Sequence, residues 1–381
     1  KRAEAGLLRE RREVRPIDAV HLEIDGRRYV NFCSNNYLGL THHPAVIEAI
    51  QRAAAEFGAG AGAAGLISGY TSLHAAVESA IAAWKGFEAS ILLASGYQTN
   101  HAAIQTLAAI GKNSPAGARF LVDKLAHASL LDAISGSGIP WRVFPHNGLA
   151  KLRRLLAEAD ASQLQIVVTE SIFSMDGDAA DLIRLLRLKQ DHPFVLLLDE
   201  AHASGVYGEG GAGYAAELGV ADQIDISVVT FSKSAGGVGG AICCRREFRD
   251  AVLNFGRAYI YSTSPAPSAA AGIAAAIDVM RREPQRQKRL RELAKRLREK
   301  LAAGGVRLPP GDSPIIPIII GDDSSALAAS AKLAGQGLLV QAVRAPTVAR
   351  GTSRLRVTLS CEHSDEEVDR LTEALLKFNP P

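Results

Sequence analysis

Ser227-Val228-Val229-Thr230-Phe231-Ser232-Lys233, read with Leu196-Leu197-Leu198-Asp199-Glu200-Ala201-His202 upstream, decides the fold of this chain. Each is an apolar run, β-branched or Leu-rich, that stops abruptly at polar groups. The first run delivers a lysine just after a small hydroxyl residue. The second delivers an aspartate and then a histidine. Such short apolar runs predict buried strands, and open α/β sheets bind ligands beyond the carboxyl ends of their strands. A lysine amine and a carboxylate placed there suit pyridoxal phosphate (PLP). The amine bonds to the cofactor aldehyde, and the carboxylate keeps the pyridine nitrogen protonated so that the ring withdraws electrons.

Outward from these runs, Ser90–Ala94, Arg119–Val122, Ile166–Thr169, Phe194–Leu198, Ile226–Phe231 and Ala241–Cys244 predict strands. Leu73–Trp84 and Leu149–Ala157 carry the helical spacing of apolar residues, and Pro44–Phe57 also reads as a helix. Alternating strands and helices predict an α/β protein with a mostly parallel sheet covered on both faces. The segment Arg281–Leu301 turns rich in Arg, Lys, Glu and Gln, with Leu290, Leu293, Leu297 and Leu301 on one stripe, and predicts a long surface helix. Beyond a Pro/Gly loop, Ile315–Ile320, Leu338–Val343 and Leu355–Leu359 predict the strands of a smaller α+β domain. The start of the chain predicts a helix and a hairpin about Asp25-Gly26. The expected division is an N-terminal segment 1–40 packing with the small domain, a large PLP-binding domain 41–280 and a small C-terminal domain 281–381.

Composition bounds the partners. A net charge of +3 over 381 residues is too small to favour nucleic acid or an anionic membrane surface. No apolar run approaches the roughly 20 residues that span a bilayer, and no basic-then-apolar leader opens the sequence. Cys33, Cys243, Cys244 and Cys361 have no metal-ligand spacing, so no metal is expected and a reducing, cytoplasmic setting is.

The remaining motifs are each open to two readings. Gly60-Ala-Gly62-Ala-Ala-Gly65 spells a dinucleotide fingerprint, but a helix precedes it where that motif needs a strand, so a loop letting backbone approach a substrate is the better reading. Ser95-Gly96-Tyr97 is an ordinary strand–helix turn or a phosphate site made of free helix amides, which Thr230 and Ser232 could join. His127 is a structural ring or one that stacks on a pyridine. Ser174 belongs to an Asp-Gly turn or donates to the cofactor's phenolic oxygen. Arg356 interrupts an apolar strand pattern, where a guanidinium needs a carboxylate partner, structural or substrate.

Taken together, SNNYLGL (34–40), SGYTSLH (68–74), LAHASLLDA (125–133), ESIFSMDGD (170–178), LDEAHASGVYGEGG (198–211) and TFSK (230–233) resemble the α-oxoamine synthases. These are PLP-dependent transferases of fold type I, with a mostly parallel seven-stranded sheet, helices on both faces and a smaller α+β domain. THHPAV (41–46), IYSTS (260–264) and VRAPTVARGTSRLRVTLS (343–360) resemble the branch that condenses L-alanine with a pimeloyl thioester. Other branches take glycine or serine. The resemblance implies Lys233 as the covalent anchor, Asp199 on the pyridine nitrogen and His127 stacked on the ring. Ser174 and His202 would reach the ring oxygen, and Gly96, Tyr97 and Thr230 the phosphate. Thr263 would reach that phosphate from the second subunit of a homodimer. Asn35, Arg344, Thr347, Arg356 and, in an Arg-rich setting, Arg9 would line the substrate site. Four positions depart from the family pattern: Asn36 where Asp is usual, Ala63 and Ala64 in the small-residue loop, and Glu200 after Asp199.

Overall fold

A computed structural model describes residues 11–160 and 162–378. The chain opens with β1 (Arg15–Pro16), β2 (His21–Ile24) and β3 (Arg27–Asn31). Asp25 and Gly26 turn the β2–β3 hairpin at φ 51° and 74°, the left-handed pair that a two-residue hairpin loop requires. The helix expected ahead of this hairpin does not occur between residues 11 and 39; the rest of that expectation falls on residues 1–10, outside the described residues.

The central sheet follows: β4 (Ala89–Leu93), β5 (Ala118–Asp123), β6 (Trp141–Phe144), β7 (Leu164–Glu170), β8 (Val195–Asp199), β9 (Ile226–Thr230) and β10 (Gly240–Cys244). Its order is β4-β10-β9-β8-β7-β5-β6, with β10 antiparallel to both neighbours and every other pairing parallel. Six of these strands carry the six runs predicted from sequence, and β6 is an addition. Arg142 and Val143 of β6 are exposed, so this edge strand has no continuous apolar run to announce it. Strands β4, β9 and β10 are buried at every position, which is the pattern of strands covered on both faces.

The last part of the chain adds β11 (Ile315–Gly321), β12 (Leu338–Leu339), β13 (Gln341–Val343) and β14 (Ser353–Thr358). The single strand expected at Leu338–Val343 is two. Leu338 pairs in parallel with Val30 of the hairpin, whereas Gln341–Val343 run antiparallel to β14. Val340, fully buried between them, is where the chain passes from one sheet to the other. The long helix also differs from expectation: one helix ends at Arg282 and the next runs Gln285–Ala303. Pro284 separates them, because a proline ring disfavours helix at the residue before it. The Leu290, Leu293, Leu297 and Leu301 stripe is wholly buried.

Glu200, one of the departures from the family pattern, has a partner. Lys85 Nζ lies 2.6 Å from its Oε2, and the two side chains are only 1% and 2% exposed. Glu200 also accepts from Ala215 N and Ser227 Oγ, while Lys85 donates to Ser204 Oγ and the Ala212 carbonyl. The pair pins the segment that leaves β8, and so locates both Asp199 and His202. Lys85→Met should lower the unfolding free energy by about 3–5 kcal/mol, and adding Glu200→Leu should restore most of it, because a lone buried charge costs more than a buried apolar pair. Urea denaturation of the two variants checks this; a single-variant loss below about 1 kcal/mol would show that the pair does not hold this segment.

Candidate active site

Side chains from the carboxyl ends of β5, β7, β8 and β9 converge, and β14 closes the group from the second sheet. Register makes this happen: Glu170 at the end of β7 pairs with Asp199 at the end of β8, and Asp199 with Val228 of β9. Lys233 lies three residues past the end of β9. Its Nζ is 2.8 Å from His202 Nε2. Burial pushes the lysine down to about 8, Asp199 and Glu170 pull it up, and Arg356 pushes it down again. His202 is held well below the ordinary histidine range by burial and by the Lys233 and Arg356 charges, so it is a neutral ring.

Asp199 is 4% exposed. Its Oδ1 accepts from Ala201 N at 2.9 Å and its Oδ2 from Asn100 Nδ2 at 2.8 Å. Asn100 also donates to Ser129 Oγ, which lies 2.7 Å from His127 Nδ1. The backbone N–H of Ser129 donates to the same Nδ1. That donor makes Nδ1 an acceptor, so the ring proton of neutral His127 sits on Nε2. Burial lowers the His127 pKa, with Asp199 opposing.

At β4, Ser95 Oγ accepts from Gln98 N and caps the helix Gly96–Asn113. A Cβ on Gly96 would stand 3.0 Å from Thr230 Cβ, so only glycine lets this helix start meet the β9 end closely. Thr230 Oγ1 and Ser232 Oγ are 2.9 Å apart. Amides at a helix start with two hydroxyls beside them form a phosphate cradle. With the buried amine, the carboxylate and a flat imidazole, the donor set fits PLP.

Arg356 answers the question its sequence posed. Its Nε donates to the Ser174 carbonyl at 2.7 Å, and its terminal nitrogens donate to Asn35 Oδ1 at 3.2 and 3.3 Å and to Thr358 Oγ1 at 3.0 Å. All of these acceptors are neutral. Arg354, two residues away on the same strand, is the one in an ion pair, 2.7 Å from Asp176. Asn35 also accepts from Tyr37 Oη, which is 2.6 Å from His202 Nδ1.

Other expected residues stand differently. Ser174 is engaged through its carbonyl. Tyr97 stacks on His101 and reaches Asp132 Oδ2. Arg344 is half-buried and Thr347 exposed, in the turn after β13. Thr263 is exposed and bridges to Ala64. Arg9 lies outside the described residues. Asn36 is structural: its Nδ2 donates to the Ala19 carbonyl and Thr41 Oγ1, which an aspartate cannot do.

Sequence reasoning missed Tyr37, Asn100, Glu170, His146 and Thr358. Glu170 carried the same signal as Asp199, a polar residue ending an apolar run. Its carboxyl is buried, with Oε1 unpartnered, and burial beside Asp199 pushes its pKa well above the carboxylate range. Tyr37 looked like core, and Asn100 is merely one turn into a helix. His146 follows the strand that the sequence did not reveal.

His146 bridges Asp123 at 3.2 Å and Asp178 at 2.7 Å, tying the segment that carries His127 to the turn that carries Ser174. Despite the opposing cost of burial, the two carboxylates raise its pKa to about 10. A raised pKa stabilises the fold fully below the unfolded value, about 6.5, and the contribution fades as pH climbs to about 10. His146→Gln should therefore cost most stability near pH 6 and progressively less toward pH 10. Melting temperatures of both proteins across that range test this; a deficit that does not change with pH would show that the ring is uncharged in the folded protein.

Known proteins resemble this chain over nearly its whole length. The profile of the family described as aminotransferase class I and II matches residues 27–375. The 8-amino-7-oxononanoate synthase of Alkalilimnicola ehrlichii is 41% identical over 378 residues, 98% of this chain and 94% of that protein. Serine palmitoyltransferase of Sphingomonas wittichii superposes with a TM-score of 0.92 at 30% identity, covering 99% of this chain and 94% of that one. Serine palmitoyltransferase from S. paucimobilis, solved with bound PLP–myriocin, has a TM-score of 0.91 at 28% identity, covering 96% and 92%. The chain belongs to the class I and II aminotransferase family, in its α-oxoamine synthase branch. It is a PLP-dependent, acyl-transferring enzyme of fold type I.

Proposed function

We propose that the chain carries out the reaction of 8-amino-7-oxononanoate synthases in biotin synthesis. L-alanine and a pimeloyl thioester, on coenzyme A or an acyl carrier protein, would give 8-amino-7-oxononanoate, CO2 and the free thiol. The 41% identical relative with that name supports this reading. The observation that carries the amino-acid half of it is Arg356: a buried guanidinium that donates to the neutral Ser174 carbonyl, Asn35 Oδ1 and Thr358 Oγ1 suits a substrate carboxylate.

Bound PLP supplies an aldehyde that takes up an amine and a pyridine ring that withdraws electrons from the substrate α-carbon. Lys233 is the anchor, Asp199 the partner of the pyridine nitrogen and His127 the ring that stacks. Gly96, Tyr97 and Thr230 serve the phosphate, and Ser174 and His202 the ring oxygen. A lysine brought down to about 8 has an appreciable share of free amine near neutral pH, so Nζ can take the α-proton once released from the cofactor. His127, carrying its proton on Nε2, can donate to the thioester carbonyl oxygen. Asn35 steadies Arg356, and Arg344, Thr347 and Arg9 complete the acyl side.

We read the active unit as a homodimer in a cytoplasmic setting. Leu66, Ile67 and Tyr261 are large apolar residues exposed on the loop pair that the Ala64–Thr263 bridge joins, and a second copy covering them would bring Thr263 to the partner's phosphate. No described helix is long and apolar enough to cross a membrane. The alternative is another α-oxoamine synthase reaction: serine palmitoyltransferase, in line with the superposed structures, glycine C-acetyltransferase or 5-aminolevulinate synthase.

Product mass spectrometry separates these. Alanine, glycine and serine, each paired with short, dicarboxylic and long acyl thioesters, should give product only or fastest from alanine with the pimeloyl thioester. Fastest turnover of serine with a long acyl chain would replace this reading. Arg356→Lys keeps the charge and loses the fork, so the alanine KM should rise roughly tenfold or more while PLP binding persists. Loss of PLP, without selective loss of alanine binding, would make Arg356 structural.

A further inference from the structure

An unbroken line of hydrogen bonds joins Lys233 to Arg356. Lys233 Nζ meets His202 Nε2 at 2.8 Å, His202 Nδ1 meets Tyr37 Oη at 2.6 Å, and Tyr37 Oη meets Asn35 Oδ1 at 3.2 Å. Arg356 closes the line on the same Asn35 oxygen. Tyr37 is fully buried, and burial pushes its phenol up to about 12, so it keeps its proton at working pH. It has one proton and two neighbours that want it.

The ends of the line decide where that proton goes. Arg356 only donates, so the Asn35 atom it meets is the carbonyl oxygen, an acceptor. An ammonium also only donates. With Lys233 protonated, His202 Nε2 must accept, and the ring proton sits on Nδ1. Tyr37 then accepts from Nδ1–H and turns its own O–H to Asn35. Moving the ring proton to Nε2 would aim an N–H at the ammonium and draw Tyr37's proton away from Asn35.

We propose that Tyr37 is a positioning residue that fixes the tautomer of His202 and, through it, the proton affinity of Lys233. This rests on the reading of Lys233 as the reacting amine and Arg356 as the carboxylate site. Ionisable groups face the line from each side: Asp199 and Glu170 act on Lys233, His127 on His202, and Arg356 on Lys233, His202 and Tyr37. None of them is hydrogen-bonded to His202 Nδ1; Tyr37 is. A carboxylate on Arg356 draws its N–H groups from Asn35, an oxygen with two lone pairs now facing three donors. The Tyr37–Asn35 bond then tightens, and Nε2 is held more firmly as the acceptor for Lys233.

The test uses the full-length chain freed of cofactor. The pH dependence of Lys233 acetylation by acetic anhydride, read by peptide mass spectrometry, should have its midpoint near 8 in the unaltered protein. In Tyr37→Phe the midpoint should fall by about half a unit to one unit, the loss of one buried hydrogen bond to the ring. An unchanged midpoint in a folded variant overturns the proposal. Propionate, a carboxylate without an amine, should raise the midpoint in the unaltered protein and raise it less in Tyr37→Phe; equal shifts in both overturn the link to Arg356. No propionate effect on either protein, together with a lowered Tyr37→Phe midpoint, overturns the carboxylate reading of Arg356 and upholds Tyr37 as the residue that sets Lys233. Nitrogen NMR of histidine-labelled unaltered protein should find His202 protonated on Nδ1 below the midpoint; an Nε2–H ring there overturns the proposal without recourse to any variant.

Discussion

Strands buried on both faces leave a polar side chain nowhere to go except past their ends. That constraint organises this protein. Within β7, β8 and β9 the interior residues past Gln165, near the amino end of β7, are apolar or small, and charge appears only at Glu170, at Asp199 and in the turn carrying Lys233. Parallel pairing puts those ends on one edge, in register, so chemistry distant in sequence becomes adjacent in space. Neither the amine nor the carboxylates can be fully solvated there. The proton affinities of Lys233 and Glu170 shift for that reason, the lysine down and Glu170 up.

Buried charge is handled in two ways. Lys85–Glu200, Arg354–Asp176 and Asp123–His146–Asp178 are closed: each cation meets a carboxylate, and each group ties a segment next to the site. Arg356 and Lys233 are open by comparison. Their hydrogen bonds run to neutral groups, and the charged neighbours act on them without an ion pair. A cation supported by neutral acceptors is held in place yet still gains from an incoming anion, whereas one already paired would have to exchange.

Much of this was legible in the sequence, for one physical reason. Apolar runs that stop at a charge mark buried strand ends, and this exposed the sheet, Lys233 and Asp199 together. Where burial was one-sided, as at β6, the signal vanished. The division of Leu338–Val343 between two sheets left no trace either, because the run is apolar except for Gln341. His127, Asn35 and Arg356 came from motifs, while their hydrogen bonds had to be seen. Tyr37 and Asn100 were hidden because a buried aromatic and a helical amide are ordinary in any core. The distinction between Arg354 and Arg356, two arginines on one strand, could not be drawn until Asp176 was found beside the first.

The central claim is that the amine at the end of β9 holds the cofactor covalently. Borohydride reduction of the protein as purified, followed by digestion and peptide mass spectrometry, tests it most directly. The account predicts one peptide carrying the reduced cofactor, with the added mass on Lys233. The same mass on any other lysine, or no covalent adduct at all, would contradict it.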